Sequence, residues 1–239
     1  MKHLPINKSS TEKINVVTLG CPKNIVDSEI LLKNLELKGY KVLHDSNDFP
    51  FDTVIINTCG FILDAKEESI NTILNYVRAK EQGLIKRIFV TGCLSQKYMP
   101  ELKKEIPEVD HFSGVNSVKE IIEHLVSGYE GKENPTTERV ITGPGHYAYM
   151  KISEGCDRKC AFCAIPQIRG KYISRTIDSL LEETTFLASK GVKELILIAQ
   201  DLNYYGVDIY KKRKLTYLIQ KILEQNYFPW IRLQYLYPE

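Results

Sequence analysis

Little in this sequence points toward a membrane, a secretory route or a nucleic acid. Lysine and arginine (32) nearly balance aspartate and glutamate (30), leaving a formal net charge of +2. So small a charge provides no global basic field of the kind that attracts nucleic acid. No apolar run approaches the roughly 18 residues of a membrane span. The opening Met1-Lys2-His3-Leu4-Pro5-Ile6-Asn7-Lys8 lacks the apolar core of a signal peptide. The expectation is a cytoplasmic protein with reduced thiols and with neither membrane nor DNA as a partner. Low-complexity tracts are missing, and no internal repeat stands out beyond an alternation of strands and helices. Histidines are few and scattered: His3, His44, His111, His124 and His146 read as solvent-facing or ordinary core residues.

What is present is an ordinary globular composition, 43% hydrophobic and 26% charged over 239 residues, enough for two modest domains or one large one. The informative feature is six cysteines in two sets of three. Cys156, Cys160 and Cys163 form a CxxxCxxC array in Ser153-Glu154-Gly155-Cys156-Asp157-Arg158-Lys159-Cys160-Ala161-Phe162-Cys163. Three disulfides would suit a small secreted domain short of core, which this chain does not resemble. Structural zinc favours four ligands in two close pairs, and no second pair is near; His146 lies ten residues before Cys156. Three thiolates can instead hold three irons of one cubane and leave the fourth iron open. Electron-transfer clusters normally use four cysteines, so a missing fourth points to chemistry at the open corner.

The other three cysteines are far apart but share a context. Apolar runs Ile14–Leu19, Thr53–Asn57 and Arg87–Val90 read as buried strands, with helical patterns between them. Strands and helices alternating at this spacing predict a parallel sheet with right-handed crossovers. Cys21, Cys59 and Cys93 each fall two or three residues past a strand end, beside a glycine. They are 38 and 34 residues apart, about one βα repeat each. Ligands bind at the carboxyl ends of strands in open parallel sheets, so folding would bring the three thiols to one edge. Three buried cysteines packing as small hydrophobes is the bland alternative. A polar stretch, Ser127–Pro135, reads as a linker. A second βα series then follows, with strands at Ala148–Ile152, Glu194–Ala199 and Ile231–Tyr235 and helices at 177–189 and 214–223. Three such strands are too few to close a barrel.

CxxxCxxC with Phe162 before its last cysteine resembles the radical S-adenosylmethionine superfamily. Leu19-Gly20-Cys21, Asn57-Thr58-Cys59-Gly60 and Thr91-Gly92-Cys93-Leu94-Ser95-Gln96 resemble the N-terminal domain of the methylthiotransferases. Within that family, Gly20-Cys21-Pro22-Lys23-Asn24, Lys151–Cys156 and Ile198-Ala199-Gln200-Asp201 resemble the RimO-like branch rather than the MiaB-like branch that modifies tRNA adenosine.

The resemblance implies an α/β fold: an N-terminal open parallel-sheet domain over 12–127, a linker over 128–141, and over 142–239 part of a radical-SAM (βα) partial barrel. Family members usually continue beyond this point, so the expectation is a C-terminally truncated chain. It implies a methylthiotransferase with two 4Fe-4S clusters and S-adenosyl-L-methionine, the alternatives being a tRNA adenosine methylthiotransferase of the MiaB-like branch or an inactive cluster-binding fragment. Cys156, Cys160 and Cys163 would hold the cluster that binds this cofactor, and Cys21, Cys59 and Cys93 would hold an auxiliary cluster. The implied substrate is the β-carbon of an aspartate in small-subunit ribosomal protein number twelve. The electron donor would be a protein such as flavodoxin or ferredoxin. No acid–base catalytic residue is assigned. Gln200 and Asp201 are candidates for the cofactor's ribose, with helix capping an equal reading for Asp201. Asp27 and Glu29 read as first-turn helix residues. Phe162 reads as a shield by the cluster or a core aromatic, and Lys211-Lys212-Arg213-Lys214 as a solvated helix start.

Overall fold

β-branched runs alternate with amphipathic helices through the first half, and the alternation fixes its architecture. The computed structural model describes residues 12–125 and 138–237. In order come β1 (Lys13–Thr18), α1 (Pro22–Leu37), β2 (Lys41–His44), β3 (Phe51–Thr58), α2 (Leu63–Glu81), β4 (Ile85–Gly92), α3 (Cys93–Glu105), β5 (His111–Phe112) and α4 (Val118–Leu125). Their five strands make one parallel sheet in the order β2-β1-β3-β4-β5. Three of these strands are those expected from their apolar runs; β2 and β5, short and at the two edges, carry too little pattern to be read. The register matters most for function. Thr18 pairs with Asn57, and Asn57 with Thr91, so the carboxyl ends of β1, β3 and β4 lie level with one another.

The second half contributes β6 (Tyr147–Lys151), β7 (Ser153–Glu154), α5 (Ile165–Arg169), β8 (Ile173–Ser174), α6 (Ile177–Ser189), β9 (Glu194–Ile198), α7 (Val207–Tyr210), α8 (Leu215–Glu224) and β10 (Trp230–Gln234). A parallel sheet runs β10-β9-β6, and β7 pairs antiparallel with β8. Three parallel strands with their helices agree with a partial βα series.

Separate apolar clusters hold each half. In the first, Val54, Ile56, Ile88 and Val90 pack with Ile73 and Val77 of α2 on one face, while Ile14, Val16 and Ile55 pack with Leu31, Leu32 and Leu35 of α1 on the other. In the second, Met150, Leu195 and Leu197 meet Leu180, Leu187, Leu218 and Ile222. Each such side chain, when fully buried, contributes about 1.5–3 kcal/mol. A smaller cluster joins the halves: Val26 of α1 packs on Ile196 and Ile198 of β9, flanked by Ile30, Tyr147 and Tyr149. Helix α1 is therefore covered on two sides, and its buried set includes Lys23, Asn24, Ser28 and Glu29 as well as its apolar residues. The described end of the expected linker is anchored, because Arg139 is only 3% exposed. Residues 128–137 of that segment lie outside the described residues.

Candidate metal and cofactor site

Level strand ends place the first three cysteines in one row. Cys59 and Cys93 directly follow β3 and β4, closer than the two or three residues expected, and Cys93 is itself the first residue of α3; Cys21 stands three residues past β1. Close packing of their loops is visible at two glycines. A Cβ on Gly20, whose φ is +89°, would lie 2.4 Å from the Cys59 Cβ, and a Cβ on Gly60 would lie 2.7 Å from the Leu94 Cα. Only hydrogen fits at either place. Asn24 ties the loops together by donating from Nδ2 to the carbonyls of Leu19 (2.8 Å) and Thr58 (3.1 Å). Ser69 clamps Cys59, accepting from its N–H at 3.1 Å and donating to its carbonyl at 2.9 Å. Thr58 donates to the Thr91 carbonyl at 2.5 Å, linking the second loop to the third.

The other three cysteines lie in one loop, between β7 and α5. Its first end is fixed by the Cys156 N–H, which donates to the Gly170 carbonyl at 3.1 Å, and Cys163 N–H donates to the Cys160 carbonyl at 3.2 Å. Tyr172 braces it from beneath, donating to the Asp201 carbonyl (2.9 Å), accepting from Ser153 (2.8 Å), and giving its N–H to Asp157 (3.1 Å). Burial falls along the loop: Cys156 is buried, Cys163 intermediate and Cys160 exposed. Phe162 is fully exposed, which excludes its reading as a core aromatic. Asp201 behaves as a cap, accepting from the Asn203 N–H at 3.1 Å at the start of the 3-10 turn Leu202–Tyr204, and it pairs with Arg158 at 2.5 Å. Gln200 donates to Glu154 at 2.6 Å.

Between the two trios runs a buried lattice of charges absent from the sequence reading. Arg169 of α5 reaches Asn24 (2.6 Å) and Asp27 (2.9 Å) of α1 and Glu154 of β7 (3.2 Å). Lys151 of β6 pairs with the same two acids, at 2.7 Å to Glu154. Farther along α1, Arg139 bridges Glu29 and Glu183, and Arg175 also engages Glu183. Asp27 and Glu29 are not first-turn residues: α1 has no acid in its first turn, and both acids project from its interior toward the second half. Burial works against ionised Asp27, but Lys151 and Arg169 outweigh it and hold its carboxyl below the usual range. Burial likewise opposes the Lys151 ammonium, and Asp27 and Glu154 more than reverse that. Lys23, with burial as the main cause, is pushed down.

The donor chemistry fits an iron–sulfur group. All six cysteines are free. Burial raises the thiols of Cys93 and Cys156 above their ordinary value, a penalty that a bound cation removes because a ligating thiol is deprotonated. Among the described residues no group of three or more His, Cys, Asp or Glu side chains could hold a metal ion. A cubane sets a wider spacing than a single ion, since each thiolate takes a different iron. The remaining expectations are plain. Lys211, Lys212 and Arg213 are exposed, and Lys211 ends α7 in the left-handed region. His111 of β5 and His124 of α4 stack with ring centroids 3.7 Å apart, and His3 lies outside the described residues. No helix among the described residues is long and apolar enough to cross a membrane.

Residues 13–114 match the uncharacterized protein family UPF0004, and residues 150–237 match the radical SAM superfamily. The ribosomal protein uS12 methylthiotransferase RimO of Cytophaga hutchinsonii is 52% identical over 226 residues, covering 95% of this chain and 51% of that protein. Its counterpart in Phocaeicola vulgatus is 53% identical over 225 residues, covering 94% and 52%. The chain thus spans about half the length of the curated relatives it matches. Among solved structures, the radical S-adenosylmethionine methyltransferase TsrM of Kitasatospora setae superposes with a TM-score of 0.60 at 14% identity, over 90% of this chain and 51% of that one. The cobalamin-dependent S-adenosylmethionine radical enzyme OxsB gives a TM-score of 0.56 at 11% identity, over 90% and 37%. At such identities the likeness concerns the fold alone.

Proposed function

We infer, for a chain that belongs to the radical S-adenosylmethionine methylthiotransferase family in its RimO-like branch, that it serves the methylthiolation of ribosomal protein uS12. In this reading Cys156, Cys160 and Cys163 hold a 4Fe-4S cluster to which S-adenosylmethionine binds. Cys21, Cys59 and Cys93 hold a second, and the β-carbon of an aspartate is the atom modified. Residues 12–127 form the auxiliary domain, 128–141 the linker and 142–239 the radical domain.

Held by Cys156, Cys160 and Cys163, such a cluster with its cofactor would supply one-electron chemistry able to open C–H bonds that protein acids and bases cannot. The chain's own work is positional. Gly20 and Gly60 let the first three loops close on one another. Tyr172 and Gly170 fix the stem of the second loop. Exposed Phe162 and Cys160 leave that loop open toward an incoming molecule. Arg169 keeps the two loop systems in a constant relation through Asn24, Asp27 and Glu154.

The observation that carries this reading is the level register of β1, β3 and β4, which gathers three cysteines 38 and 34 residues apart beside a helix packed on the CxxxCxxC half. Anaerobic reconstitution followed by dithionite is the test. The expected result is about eight irons per chain, 5′-deoxyadenosine, and a methylthio group on an aspartate of a uS12 peptide. A methylthio group on tRNA adenosine, with none on the peptide, transfers the protein to the MiaB-like branch. Zinc uptake without iron and sulfide overturns the reading altogether.

A further inference from the structure

We propose that Lys23 receives the carboxylate of the side chain to be modified and so selects an aspartate over its amide. This rests on the methylthiolation reading above and names the residue that would recognise its substrate. Lys23 is only 8% exposed, in the first turn of α1. A buried ammonium ordinarily has a carboxylate or several hydrogen bonds, because removing it from water is costly. The neighbouring cations have them: Lys151 and Arg169 each engage both Asp27 and Glu154. Lys23 has no hydrogen bond and no ion pair among the described residues. Its Nζ instead sits 3.4 Å from the centroid of the Tyr235 ring. Such a contact holds an ammonium in place without neutralising it.

Three cations therefore share two carboxylates, and the excess positive charge falls on the one that lacks an acid. Nor is the Lys23 Nζ among the polar atoms sealed from solvent without a partner. Tyr235, which follows β10 with a φ of +73°, closes over it; a tyrosine in that region has to be held there by its surroundings. An acidic group approaching the Cys21 and Cys93 thiols would find in Lys23 a donor already in place and without a carboxylate partner among the described residues. A lysine serves here as a point charge, and charge-assisted hydrogen bonds to carboxylates are the strong ones. Lys23 also lies within electrostatic range of Cys21 and Cys93. Its rival role is as a counter-charge to whatever those thiolates hold.

The test compares wild type, Lys23→Met and Lys23→Arg, all reconstituted anaerobically. Each is titrated with a fluorescent uS12 peptide bearing the aspartate and with the same peptide bearing asparagine. Methionine keeps the packing of the lysine stem, so melting temperature and iron content should be unchanged. The wild type should bind the aspartate peptide about tenfold more tightly. Lys23→Met should lose that preference by weakening the aspartate arm alone, and Lys23→Arg should keep most of it. Persistence of the preference in Lys23→Met, equal weakening of both peptides, or a wild type indifferent to the substitution overturns the proposal. So does a fall from about eight irons to about four in Lys23→Met, which would identify the counter-charge role. Methylthiolation is scored separately. A preference that follows Lys23 in a protein that never modifies the peptide would refute the reaction and leave carboxylate recognition standing.

Discussion

The two cysteine trios are built in opposite ways. Cys156, Cys160 and Cys163 lie within one loop, so their proximity is written into eight consecutive residues. Cys21, Cys59 and Cys93 meet only because three strands stop at the same level. The first arrangement needs little more than a hairpin stem and a tyrosine brace. The second exists only in the folded sheet. A local site should therefore tolerate loosening of the sheet that would dissolve the dispersed one, and the contrast can be tested by breaking either side.

The largest separation should come from the cysteines themselves. Cys160→Ala and Cys59→Ala should each lower iron from about eight to about four per chain, measured by iron and sulfide assay. Cofactor cleavage should vanish in the first and persist in the second, while methylthio transfer is lost in both. Equal loss of cleavage from both would end the proposed division of labour. Next comes Arg139→Met, which leaves Glu29 and Glu183 buried beside a missing partner. Breaking one side of a buried pair costs about 3–5 kcal/mol, here read from urea unfolding of the apoprotein.

Gly60→Ala should cost less, about 1–3 kcal/mol, because the added methyl meets the Leu94 backbone and pushes two cysteine loops apart. Iron lost from this variant should come from the dispersed trio, with cofactor cleavage retained; loss of cleavage first would contradict the comparison. The smallest effect concerns pH. Burial, then His124, holds His111 below its ordinary value, partly offset by Glu120. A histidine that releases its proton more readily when folded makes stability fall as pH drops through its unfolded value of about 6.5. The urea midpoint should decline over that window, and His124→Gln should flatten the decline without touching either cysteine site.

Much of the fold was legible because buried parallel strands advertise themselves as apolar, often β-branched runs; β1, β3, β4 and β9 fall where those runs predict, and β6 where a segment alternating in polarity does. The cysteines were legible for the same reason, since each follows such a run or a short array. Helix α3 was missed: it starts at Cys93 without a capping side chain and kinks at Tyr98 just before Pro100, so its pattern is broken. Asp27 and Glu29 were misread because a helix covered on two sides has no single polar face, and acids at interior positions then resemble solvent-facing ones. Arg139 sits at the end of a polar segment whose composition signals a linker, and Arg169 in a short turn of helix with no period to betray its partners. Their contacts join residues 110 and 142 apart. No local pattern encodes pairings at that distance.

The grip of Arg169 on Asn24, Asp27 and Glu154 also bears on exchange between relatives. A chimaera that grafts a foreign amino-terminal half onto this CxxxCxxC half inherits whatever stands at positions 24, 27 and 29. Unless the graft brings an amide and two acids there, Arg169, Lys151 and Arg139 become buried cations facing strangers, so the two halves are interchangeable only as a matched set.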